Sequence, residues 1–166
     1  MRLDVVVRPS PEVCEVLAAH PRPALGEVRW TPPERWVAKL RPLGHVDQRL
    51  VPELVAVLEA ELDGAPRPTC VLGPATVCKG WLYAPVSGLD DLSAAVFDAT
   101  EELVPVTHPQ PFVGLVGLAG GKRIPRELGR VPISASWQPH EVVLVADRSA
   151  PGRPRLEDLA AFPLGG

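Results

Sequence analysis

The chain has 166 residues, 46% of them hydrophobic and 22% charged, with a formal charge of −3. That balance excludes a disordered chain and is ample for a sizeable core, and it lacks the strong basic field of a dedicated DNA binder. The length favours one domain over residues 1–166, or two small lobes sharing a core. The 21 prolines and 14 glycines are spread between apolar runs, which predicts many short elements with firm turns.

Leu3 to Val7 is a β-branched run and predicts a strand. Ser10 and Pro11 open a helix as N-cap and first helical residue, and the helix closes near His20-Pro21. Val28 to Trp30 reads as a brief strand. Trp36 to Leu43 reads as a second strand, in which Pro42 suggests an edge or a bend. Asp47 to Leu62 has apolar residues at helical spacing and ends at Asp63-Gly64. Thr69–Leu72 and Trp81–Val86 predict strands, followed by a helix over Leu89–Leu103. Strands are then expected at Pro111–Leu118, Val131–Ser136, Glu141–Asp147 and Arg155–Pro163, with a helical turn at Ile124–Leu128. This order suits an α+β protein with helices on one side of antiparallel sheets.

No apolar run approaches the length of about 18 residues that a membrane span needs. The N-terminal MRLDVVVRPSPEV lacks the apolar stretch of a signal peptide. Cys14, Cys70 and Cys78 are odd in number and form no CxxC, which suits free thiols. The expectation is a cytoplasmic protein with no membrane association. No set of His, Cys and carboxylate residues has metal-ligand spacing, and no cofactor is expected. GLVGLAGGKR lacks the GxxxxGK[ST] spacing of a phosphate-binding loop.

Four stretches in order, MRLDVVVRPSPEVCEVL, VRWTPPERWVAKLRPLGHVD, WLYAPVSGLDDLSAAV and SWQPHEVVLVADRSAPGRPRLEDLAAFPLG, resemble the two-histidine (2H) phosphoesterases. The resemblance is to their bacterial 2′-5′ RNA ligase-like branch, also called RNA 2′,3′-cyclic phosphodiesterases. It covers nearly the whole chain. It implies a bilobal α+β fold, with two antiparallel sheets facing a central groove and helices outside. It also implies two His-x-Thr motifs, one per lobe. Alternation along a strand aims both side chains of each motif into the groove. One histidine then serves as general base and the other as general acid, on opposite sides of one phosphorus.

On that frame the first pair falls on Val37 and Lys39, and the second on Phe112 and Gly114. The histidines His20, His45, His108 and His140 are none of them followed two residues later by Thr or Ser. Valine and phenylalanine transfer no protons, so whether the chain is an enzyme is open. The leading expectation is a degenerate relative that binds a nucleotide, an RNA end or another small anion in the groove. Lys39 and Arg41 would meet the anion and Phe112 a ring. Two alternatives stand beside it. One is a repurposed enzyme acting on a hydrophobic biosynthetic intermediate, with His45 or His108 as substitute acid or base. The other is a non-catalytic scaffold or regulatory partner. His45 and Asp47 read either as a hydrogen-bonded pair or as a turn and a helix N-cap.

Overall fold

The computed structural model describes residues 1–165. Ten strands and three α-helices follow one another as β1 (Arg2–Val7), α1 (Pro11–Ala19), β2 (Val28–Trp30), β3 (Ala38–His45), α2 (Val51–Leu62), β4 (Cys70–Leu72), β5 (Val77–Cys78), β6 (Leu82–Ser87), α3 (Asp90–Thr100), β7 (Leu115–Gly121), β8 (Ala135–Trp137), β9 (Glu141–Asp147) and β10 (Leu156–Pro163). Every pairing between them is antiparallel.

The strand order is β10-β9-β1-β3-β7-β6-β4-β8, with β2 added on β7 and β5 on β6. The two expected sheets are thus the halves of one curved sheet. Between β3 and β7 the halves meet at a single residue pair, Ala38 with Val116. So narrow a junction lets the sheet curl there, and the groove opens on the inner face.

Both faces of the central strands are covered. Leu3, Val5, Val142 and Leu144 join the main core with Leu17, Leu54, Leu58, Leu92 and Val96 of the helices. On the other face Val6, Val37, Val143 and Val145 form a second, smaller cluster. This explains why β1 and β9 read as continuous apolar runs rather than alternating ones.

Local chemistry sets the helix ends. The Ser10 hydroxyl accepts from the Val13 N–H at 3.3 Å, and Pro11 occupies the first turn. α1 stops at His20, held extended ahead of Pro21. Ser10→Ala is expected to lower stability by about 1 kcal/mol, read as a fall in Tm of about 2–4 °C. The segment read as one helix from Asp47 is instead a 3-10 turn over Gln48–Leu50, capped by Asp47, leading into α2.

β7 starts later than expected. Pro109 and Pro111 offer no N–H to a ladder, and Gly114 packs so tightly that a Cβ there would lie 2.3 Å from the Val86 carbonyl oxygen. The chain therefore joins the sheet at Leu115. Among the described residues no helix is long and apolar enough to cross a membrane.

Candidate functional site

The groove has a volume of about 920 Å³. Val37 and Lys39 flank Ala38 on one strand, and Leu115 and Gly117 flank Val116 on the other. Ala38 and Val116 point into the main core, so their neighbours point the other way, and all four line the groove. This corrects the second expected pair. Phe112 and Gly114 precede β7. Phe112 lines the wall, while Gly114 is not part of the lining and is a glycine because Val86 approaches it closely. The residues opposite Val37 and Lys39 are Leu115 and Gly117.

Arg41 is a second correction. Simple alternation puts it on the face of Lys39. The β1–β3 register slips by one residue between them, so Lys39 lies opposite Val6 and Arg41 opposite Val5. Val6 belongs to the groove-side cluster and Val5 to the main core. Arg41 is 3% exposed, although it touches one end of the groove lining. Its guanidinium donates to the Thr100 hydroxyl at 2.6 Å and to the Val104 carbonyl, and lies 4.9 Å from the centre of the Phe97 ring. It is a strut under α3 rather than a free cation.

Lys39 keeps its expected place, half-exposed, with Nζ 3.7 Å from Oδ1 of the buried Asp4. Burial pushes the Asp4 carboxyl above its ordinary value, against the pull of Lys39 and Arg2. Arg35, also in the lining, pairs with Asp147 at 3.0 Å and donates to the Ser149 hydroxyl at 2.6 Å. Burial raises the Asp147 carboxyl, but the bonds from Ser149 and the charge of Arg35 outweigh it and hold the group below its usual range. Lys79, Trp81 and Tyr83 complete the far wall. Trp81 and Tyr83 lie 5.1 Å apart, ring centre to ring centre, at 41°.

The substitute histidines are separated. His108 is exposed on the groove wall, its Nδ1 3.1 Å from the Thr107 hydroxyl. His45 ends β3, is exposed, and lies outside the groove lining. Asp47 bonds the Arg49 N–H and side chain, so it is the N-cap and no partner of His45. His140 lines a separate cleft of about 630 Å³ with Arg8, Ser10 and Arg67.

Among the described residues no cluster of three or more His, Cys, Asp or Glu is placed to hold a metal ion. The three cysteines are free, and burial pushes the Cys70 thiol up to about 11.

Sequence reasoning missed Arg35, Lys79, Trp81 and Tyr83 as groove residues, and Asp4 as the buried partner of Lys39. One signal was present for Asp4. A carboxylate inside the apolar run Leu3–Val7 needs a compensating partner when the strand is buried on both faces. Trp81 offered no such signal, because its exposure depends on β7.

A curved antiparallel sheet in two halves, with helices outside and a groove over the junction, is a fold shared with solved structures, one of them described as a phosphoesterase. No family model matches the sequence, and no curated protein matches it significantly. Solved structures do. TT0787 of Thermus thermophilus aligns over 100% of this chain and 99% of its own, at 23% identity and a TM-score of 0.83. E. coli LigT complexed with 3′-AMP aligns over 99% and 98%, at 20% identity and a TM-score of 0.81. A structure described as a phosphoesterase aligns over 99% of both chains, at 17% identity and a TM-score of 0.77.

Proposed function

We propose that this protein is a degenerate member of the 2H phosphoesterases, which binds a nucleotide, an RNA end or a similar small anion in its groove without two-histidine hydrolysis. One observation carries the reading. The four positions facing the groove from the β3–β7 junction are Val37, Lys39, Leu115 and Gly117. They offer one cation for an anion and no histidine. E. coli LigT has been solved with 3′-AMP, NADP+ and ATP, which supports a nucleotide-sized anion in a groove of this shape. No cofactor is part of the proposed role.

The apolar part of the groove lining, with Val37, Val106, Phe112, Val113 and Leu115, favours a second reading, an enzyme reshaped for a hydrophobic substrate. Titration calorimetry with 3′-AMP, beside a hydrolysis assay on 2′,3′-cyclic AMP, separates the two. The expected result is binding without turnover, unchanged in His108→Ala. Turnover lost in His108→Ala would mean a rebuilt active site and would overturn the proposal.

A further inference from the structure

We infer that Trp81, seated against Gly117, forms a ring-stacking subsite in the groove that Lys39 also lines, which selects ligands that carry a flat aromatic ring beside their anionic group. The inference rests on the anion-binding reading above and specifies its ligand.

Gly117 is one of the four junction positions facing the groove. A Cβ there would lie 3.2 Å from Cζ3 of Trp81, closer than ordinary van der Waals contact. The missing side chain is what lets the indole lie against β7. Two further contacts hold the residue, one on its ring and one on its backbone. Tyr83, two residues on and on the same face, packs against it at a tilt. The Lys79 N–H donates to the Trp81 carbonyl at 2.9 Å across Gly80, whose φ of +73° only glycine adopts without strain.

Despite these supports Trp81 remains 40% exposed. Among the described residues five large apolar side chains are exposed, and three of them, Trp81, Val106 and Val113, line this groove. Exposed apolar surface gathered in one groove marks a binding site. Lys39 and Lys79 line the same groove, so the complementary ligand joins an aromatic ring to an anion. Stacking tolerates any base because every base presents a π-face, so the subsite reads ring against no ring rather than one base against another.

The test measures affinity of the full chain for inorganic phosphate and for 3′-AMP. The wild type is expected to prefer 3′-AMP. Trp81→Ala should weaken 3′-AMP by roughly 5- to 100-fold and leave phosphate unchanged, while Trp81→Phe restores most of the preference. Gly117→Ser, which pushes the indole off the strand, should act like Trp81→Ala. An unchanged ratio of the two affinities in Trp81→Ala overturns the inference, and so does an equal loss for both ligands. Absence of any binding to the wild type, or binding indifferent to Lys39→Met, overturns the anion-site reading itself and the inference with it.

Discussion

Arg41→Met is expected to destabilise the protein by about 3 kcal/mol, a fall in Tm of about 6–12 °C. The guanidinium is buried and makes two charge-assisted hydrogen bonds, to the Thr100 hydroxyl and the Val104 carbonyl. Methionine fills a similar volume over Phe97 but donates nothing. The Val104 carbonyl is left without this donor where the chain leaves α3 for the groove wall. Arg41→Lys should recover only part of the loss, because one ammonium cannot reproduce the planar fork. Calorimetric melting of the three proteins decides the matter. A change below about 1 kcal/mol in Arg41→Met would mean that the buried bonds contribute no more than a surface pair.

Lys39→Met is expected to weaken binding of 3′-AMP by about 10- to 100-fold, the loss of one charge-assisted contact. It should also destabilise the fold, because Asp4 loses its ion-pair partner. The pH dependence follows from the direction of the Asp4 shift. Its folded pKa is raised above the ordinary 3.8, chiefly by burial. The protonated carboxyl is therefore the form the fold tolerates. Relative stability is fully present below the unfolded value and is lost as pH rises through the folded value. Removing the Lys39 charge raises the folded value further and widens that window upward. Lys39→Met with Asp4→Asn should therefore be more stable than Lys39→Met alone at pH 7, and the gap should close as pH falls toward 4. Urea unfolding of both variants at pH 4 and pH 7 measures it. Equal stability at both pH values would show that Lys39 does not compensate Asp4.

The groove was partly legible in the chain. Val37 and Lys39, set on the first motif by the family resemblance, do line the groove. The second strand was expected from Pro111 and starts at Leu115, and the pair facing the groove lies three residues later than expected. Its approach, Pro109 to Gly114, contains two prolines that donate nothing to a ladder and meets β6 only through the bond from the Val86 N–H to the Gly114 carbonyl, and the glycine that marks this close contact resembles any other glycine in sequence. Arg41 was assigned to the wrong face because strict alternation fails at a register slip. That slip is a property of two paired strands, and neither strand shows it alone.

What the sequence settles by itself is short-ranged. Ser10 and Pro11 begin α1, His20-Pro21 ends it, and the β-branched run at Glu141–Asp147 makes a strand buried on both faces. Each acts through atoms a few residues apart, so composition and spacing suffice. The absence of any His-x-Thr is equally a fact of the sequence. The pairing of Asp4 with Lys39, the buried bonds of Arg41 and the seat of Trp81 on Gly117 are decided only in three dimensions. Each joins residues from different strands or helices. Register and sheet curvature, rather than any local preference, bring such residues within contact distance.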